Sequence, residues 1–316
     1  MSEVTVKKAR FVTIESEFEG QRLDNFLLRE LKGVPRTYIY RIVRKGEVRV
    51  NKGRIQVKYR LQAGDVVRIP PVRQAEEKQG TPHQGLQSKL ENAVLYEDKQ
   101  LIIINKPSGM AVHGGSGISF GVIETMRAMR PEEKYLELAH RLDRDTSGCL
   151  ILTKRRSALK MIHDLQLRKK IEKKYLALVY GSWGKKTSIK IDVPLKKNTL
   201  RGGERIVQVD PLGKEAQTHF SLIERMGDAM LINAILVTGR THQIRVHMNY
   251  AGTPILGDVK YGIDAMNKVY KEKGLNRLFL HAHTLSFRHP ETKKLMKFTA
   301  PLGDELESVL TQLRSE

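Results

Sequence analysis

The stretch HRLDRDTSG, His140 to Gly148, sets two carboxylates and two guanidiniums within Arg141 to Asp145. Apolar segments flank it, Leu101 to Ile104 upstream and CLILTK downstream. By residue type alone, Asp143 between Leu142 and Arg144 reads either as a turn cap held by a neighbouring arginine or as a reacting carboxylate. Thr146, Ser147 and Gly148 are turn formers, and Asp145 can cap local amides. Other chemistries have weaker signals. GGSG at Gly114 to Gly117 matches neither a phosphate loop nor a dinucleotide fingerprint, and no G-x-S-x-G elbow occurs. His281 and His283 could form half a metal site, but no carboxylate partner lies near them, so they read as a packed strand face. Cys149, the one cysteine, excludes intramolecular disulfides and reads as a buried packing thiol.

These residues need elements to hold them. Strands are expected in VLYEDKQLIIINK, turning at Glu97-Asp98, and in CLILTK, with HRLDRDTSG as a turn at a sheet edge. Further strands are expected in KKYLALVYGSW, TSIKIDVPL, THFSLIER and AMLINAILV. The alternation in KKYLAL puts Lys173, Tyr175 and Ala177 on one side. KRRSALKMIHDLQLRKKI has helical period, and RTHQIRVHMNYAG reads as a helix ending at Gly252, with His242, Arg245 and Asn249 on one face. LFLHAHTLSFRHPETKKLMKFTAPL reads as a hairpin turning at His289 to Lys294. Neighbouring strand pairs with helices set aside predict an α+β fold with a large mixed, mainly antiparallel sheet and flanking helices.

The N-terminal part has a different texture. QRLDNFLLREL and VPRTYIYRIVRKG read as two amphipathic helices, the second ending at Gly46. EVRVNKGRI reads as a strand entering a hairpin at Asn51-Lys52-Gly53, and GDVVRIP closes the unit. From Arg36 to Arg60 there are nine Lys or Arg and one acid, Glu47. Arg41, Arg44 and Lys45 fall on one helix face, and Arg36, Lys52 and Arg54 add to the basic side. Residues 73–89, RQAEEKQGTPHQGLQSK, read as a flexible linker. The expected organisation is an extension at 1–19, a basic module at 20–72, the linker, and a larger domain at 90–316. Over the 316 residues the net charge is +21, which points to a polyanionic partner such as nucleic acid. No apolar run approaches the roughly 20 residues needed to span a bilayer, and no signal core is read at the N-terminus.

The motifs together carry a family resemblance. INKPSGMAVHGG (Ile104 to Gly115), HRLDRDTSG, KKYLALVYG (Lys173 to Gly181), GRTHQIRVHM (Gly239 to Met248) and LHAHTLSFRHP (Leu280 to Pro290) resemble, in order, the sequence blocks of the pseudouridine synthases that act alone on ribosomal RNA. Residues 20 to 72 resemble the S4 RNA-binding domain found in one branch of that family. The resemblance implies a cytoplasmic, monomeric enzyme acting on 23S ribosomal RNA or a large-subunit assembly intermediate, without cofactor or metal. It implies Asp143 as the catalytic carboxylate, attacking C1′, adding to C6 of the ring or abstracting a ribose proton. Each route needs an ionised carboxylate in a partly dry pocket, where desolvation works against the charge. The family's opposing cation corresponds to Arg245, expected in a bidentate pair with Asp143. Tyr175 corresponds to the residue that packs on the uracil, and Arg141 to the one that fills the space left by the flipped nucleotide. Arg144 and Lys106 are expected to contact phosphates near the cleft. The basic loops at Lys185 to Lys190 and Lys196 to Asp210 carry no assigned role. Two other classes fit parts of the sequence: a non-enzymatic ribosome-assembly protein, and a metal-dependent RNA hydrolase built on the histidines.

Overall fold

A computed structural model describes residues 9–31, 33–72, 81–115, 119–199 and 205–316. Parts of the expected linker, the GGSG stretch and the Lys196 to Asp210 segment lie outside them. The chain divides into two compact units, Met1–Thr81 and Pro82–Glu316.

The first unit holds β1 (Arg10–Thr13), α1 (Leu23–Glu30), α2 (Arg36–Arg44), β2 (Arg49–Val50) and β3 (Val66–Ile69). The strands run β1-β3-β2, all antiparallel. β1 falls in the stretch expected to be an extension, and its pairing with β3 makes that stretch part of the sheet. Leu23, Phe26 and Leu27 of α1 pack with Ile39, Ile42 and Val43 of α2 in one core. The apolar stripe of each helix therefore faces inward, and the cations of α2 are left outside. The hairpin at Val50 to Gly53 is a two-residue turn: Asn51 and Lys52 have φ of 49° and 68°, and Val50 and Gly53 exchange backbone hydrogen bonds of 3.1 and 2.9 Å. Such geometry matches the right-handed twist of the flanking strands. It leaves Lys52 exposed beside Arg54.

The second unit begins with α3 (Gln84–Glu91), where a linker was expected. Leu86 and the buried Leu90 pack into the main core, so tertiary contact overrides a polar, glycine-containing composition. There follow β4 (Val94–Glu97), β5 (Leu101–Lys106), α4 (Val122–Met129), β6 (Glu137–Leu138), β7 (Ser147–Thr153), α5 (Arg156–Leu167), β8 (Glu172–Tyr180) and β9 (Ser188–Asp192). Next come β10 (Leu195–Thr199), β11 (Arg205–Val209), β12 (Gln217–Met226), β13 (Ala229–Leu236), α6 (Gln243–Tyr250) and α7 (Asp264–Glu272). The chain closes with β14 (Leu280–Arg288), β15 (Leu295–Thr299) and α8 (Asp304–Ser315). Ten strands form one sheet in the order β4-β5-β7-β14-β8-β13-β12-β9, with β15 on β14 and β6 on β7. Among the described residues, only the β7–β14 pairing is parallel. β10 and β11 form a separate hairpin, so the segment read as a basic loop is in part a two-stranded element.

β5 and β7 are buried on both faces, and their alternation sorts side chains into two cores. Ile102, Ile104, Leu150 and Leu152 enter one. Leu101, Ile103, Cys149 and Ile151 enter the other, against Ala158 and Ile162 of α5. Each such Ile or Leu contributes about 1.5–3 kcal/mol by leaving water. β7 is therefore an interior strand. The HRLDRDTSG turn sits at its N-terminal end, not at a sheet edge as expected.

Candidate active site

The HRLD turn is held from below. Lys106, at the end of β5, is fully buried, and its ammonium donates to the carbonyls of Pro107, Met110 and Arg144 at 2.9, 2.8 and 2.9 Å. Ser108 Oγ donates to Asp145 O at 2.8 Å. Lys106 is thus no phosphate contact. A lysine next to a Pro-Ser-Gly turn looks like a surface cation, but three converging carbonyls hold it inside. Burial pulls its pKa down to about 7, with Arg277 adding to the drop and the carboxylates of Asp145 and Asp143 opposing it. On the other side of the turn, Gly148 has φ +108°, and a Cβ there would lie 2.3 Å from Ala282 O on β14. Only glycine allows this close approach, which brings the start of β7 against β14.

Asp143 emerges from this turn one quarter exposed, and the two side-chain nitrogens that approach it both face Oδ2. His242 Nε2 is 3.8 Å away and Arg245 Nη1 3.9 Å away. The two donors come from the start of α6. Gln243 fixes that start by accepting from the Arg240 amide and the Thr238 hydroxyl, and by donating to Gln217 O and Thr218 Oγ1, all at 2.8–2.9 Å. His242, just before the helix, has φ +53°.

Arg245 does not form the expected bidentate pair with Asp143. Its Nε and Nη2 each donate at 2.7 Å to the carboxylate of Asp258, which is 1% exposed. The third nitrogen is left to face Asp143. Burial works against the charge on Arg245, and Asp258 followed by Asp143 more than offsets it, so the guanidinium is held above its ordinary pKa. Asp258 is itself locked by the Lys260 and Tyr261 amides at 2.9 and 3.0 Å. The preceding Gly257 has φ +74°, and a Cβ there would lie 2.0 Å from Arg277 O. The sequence GDVKYG is thus a socket for Arg245: a glycine that permits the turn, an acid that grips the guanidinium, and a tyrosine whose ring lies 5.0 Å from its carbon.

Tyr175 on β8 is 6% exposed. Burial first, then the charge of Asp143, holds its hydroxyl above the ordinary range. Asp143, Tyr175, Arg245 and Arg141 line one cavity of about 1480 Å³, roomier than the 300–1,000 Å³ typical of small-molecule sites. Arg141 is exposed on it. The lining also includes Arg168, Lys169, Lys170, Lys173, Arg240 and Arg288, a basic wall suited to a polyanion. Burial alone pulls Lys173 down to about 8. Arg144 is outside the lining and pairs with Asp145 at 3.2 Å.

Two histidines of the sequence are consumed structurally. His281 lies 2.8 Å from Ser147 Oγ, and both His281 and His283 bond to Ala300 O at 3.0 and 2.9 Å. Among the described residues no group of three or more His, Cys, Asp or Glu side chains is placed to hold a metal ion. Cys149 is buried, and burial raises its thiol to about 11.

Residues 100–250 match the RNA pseudouridylate synthase family, and residues 21–67 match the S4 domain. The chain is 53% identical over 309 residues to the ribosomal large subunit pseudouridine synthase C of Haemophilus ducreyi, covering 97% of this chain and 96% of that one. It is 52% identical over 311 residues to the protein of the same name from Escherichia coli K12, covering 97% of each. The chain belongs to the RNA pseudouridylate synthase family. The fold of this pseudouridine synthase is shared with human RNA pseudouridylate synthase domain containing 4, at a TM-score of 0.59 and 23% identity over 73% of this chain and 96% of that one.

In the S4 unit of the synthase, Arg36, Arg41, Arg44, Lys45, Lys52 and Arg54 are all exposed. Arg36 has an internal partner, the buried Asp24 at 3.5 Å. Arg41 stacks on Tyr38 at 4.4 Å. Arg44 and Arg54 share a small depression with Val43 and Val57. No helix among the described residues is long and apolar enough to cross a membrane. Sequence reasoning assigns no role to Asp258, Tyr261 or Lys173. The signal for the first two is the pair of glycines bracketing GDVKYG; Lys173 has only its two-residue spacing from Tyr175.

Proposed function

We propose that this enzyme isomerises uridines of 23S ribosomal RNA to pseudouridine, with Asp143 as the reacting carboxylate. The observation that supports the assignment is the convergence of Asp143, Arg245 and Tyr175 on one basic-walled cavity large enough for a nucleotide. The reaction breaks N1–C1′, forms C5–C1′, and exchanges the C5 proton for one on N1. Nothing is oxidised and no group is imported, so the chain's own residues suffice. Attack at C1′, addition to C6 and abstraction of a ribose proton all start from the same ionised carboxylate. Arg245 opposes the desolvation of that charge. Tyr175 packs on the uracil; a hydroxyl held protonated suits packing better than proton removal. Arg141, exposed on the cavity wall, fills the space that the target base leaves on flipping, an event costing roughly a few kcal/mol. The reading places the protein in the cytoplasm, as a monomer acting on ribosomal RNA or a large-subunit assembly intermediate. The names and near-complete coverage of the relatives support the large-subunit substrate.

The test is carbodiimide and primer-extension mapping of 23S RNA from cells lacking the protein. Pseudouridine is expected to vanish at specific positions and to return with the wild-type gene but not with Asp143→Asn. A complete pattern in the deletion strain would refute the assignment and favour a ribosome-assembly role.

The S4 unit supplies phosphate contacts in this reading. Replacing Arg41, Arg44 and Lys45 with glutamine is expected to flatten the slope of log K against log salt by about 2, at roughly 0.7–0.9 per lost phosphate contact. Filter binding to a 23S transcript measures it. An unchanged slope would mean that this face reads no phosphate.

A further inference from the structure

We propose that His242 is a positioning residue for Asp143: a neutral imidazole that points an Nε2–H at Oδ2 of the carboxylate, its tautomer fixed by the Tyr261 hydroxyl. The proposal rests on Asp143 as the reacting carboxylate.

The tautomer follows from donor and acceptor counting. Tyr261 is 7% exposed. Its hydroxyl accepts the Val207 amide at 3.0 Å and lies 2.7 Å from His242 Nδ1. A phenol has one proton to place. If Nδ1 carried its own proton, the buried phenolic proton would have no acceptor among the described residues, and an unmet buried donor is costly. Tyr261 therefore donates to Nδ1, and the ring proton sits on Nε2, facing Asp143 at 3.8 Å. The two rings meet edge-on, 5.5 Å apart at 69°.

The backbone is bent to allow this. His242 takes φ +53°, a conformation that strains a non-glycine residue. It sets the ring ahead of the helix, beside the third nitrogen of Arg245. Two donors then converge on Oδ2, and neither contact uses Oδ1, which is left for the sugar or the base. At 3.8 and 3.9 Å both contacts are just beyond hydrogen-bonding reach, as is common before substrate tightens a site. Burial keeps the imidazole neutral, with Arg245 and Lys260 adding to that effect and Asp143 and Asp258 opposing it. A neutral donor orients the carboxylate without a second full positive charge, which would blunt its reactivity. The chain of contacts extends further: Val207 lies on the β10–β11 hairpin, which packs through Leu195 and Val207 on Val246 and Tyr261.

The charge of Asp143 is felt by His242 from the turn before α6, by Arg245 from α6, by Lys106 from β5, by Tyr175 from β8 and by Tyr261 from the loop before α7.

The experiment uses the full-length protein and a 23S transcript labelled with 5-³H-uridine. His242→Ala is expected to lower kcat about 10- to 100-fold with little change in KM. His242→Gln, whose amide nitrogen reaches towards the Nε2 position, should recover much of the loss. Tyr261→Phe should fall between. Nitrogen-15 NMR of the imidazole should show the Nε2–H form in the wild type and a mixture in Tyr261→Phe. A wild-type Nδ1–H tautomer overturns the proposal whatever the variants do, as does a wild-type kcat in folded His242→Ala. Asp143→Asn is assayed in parallel: if it stays active, the reading of the site fails; if it is inactive while His242→Ala behaves as wild type, only this proposal fails.

Discussion

Asp143→Asn is expected to lower pseudouridine formation on the order of 10⁴-fold or more, the scale seen when an essential reacting group is removed, while RNA binding persists. The substitution is isosteric and removes only the charge. The frame around position 143 does not depend on that charge. Arg245 keeps its bidentate grip on Asp258, and the turn stays anchored through backbone carbonyls by Lys106 and Ser108. The basic cavity wall is untouched. Stability should therefore change little, and the loss belongs to the chemical step. Tritium release from 5-³H-uridine RNA measures the rate, and filter binding measures the affinity. Wild-type release by the variant would remove Asp143 from the mechanism and return it to the role of a turn cap.

That alternative, open at the level of residue type, is decided by surroundings that a local sequence does not display. The strand alternation beside the site was legible, with Lys173, Tyr175 and Ala177 on one side of β8, and so were strands β5 and β7, though not the interior position of β7. The start of α6 was not: the helix was expected from RTH with His242, Arg245 and Asn249 on one face, but it begins at Gln243, His242 precedes it at φ +53°, and Asn249 is exposed while Arg245 is buried. The partner of Arg245 was not legible either. Two carboxylates compete for one guanidinium, and Asp258, thirteen positions along the chain from Arg245, wins because the Gly257 turn lays it alongside. Lys106 was misread for a related reason: its three carbonyl partners come from the PSGM turn and from Arg144, which the fold alone brings together. α8 carried its own signal, since Leu306, Val309, Leu310 and Leu313 are buried at helical spacing, and the period could have been read. α3 could not, because its stability comes from Leu86 and Leu90 docking on the main core.

The Arg245–Asp258 pair gives the second large effect, and it separates support of the fold from support of the reaction. Asp258→Ala should cost about 3–5 kcal/mol, because it strands a buried guanidinium, and should lower Tm by roughly 6–20 °C for a unit of this size. The loss is compounded because the same carboxylate holds the Lys260 and Tyr261 amides. Arg245→Lys should also fail, since an ammonium cannot grip one carboxylate with two nitrogens and face another with a third. The informative variant is the double replacement Arg245→Met with Asp258→Leu. Buried ion pairs exchanged for apolar residues of similar volume often leave stability unchanged or improved, so thermal unfolding should return towards wild type. Activity should not return, because no cation then opposes the desolvation of Asp143. A stable double variant that still releases tritium at the wild-type rate would show that Arg245 serves only the fold. The ionised carboxylate would then depend on the remaining donor at Oδ2, His242, together with water entering the open cavity.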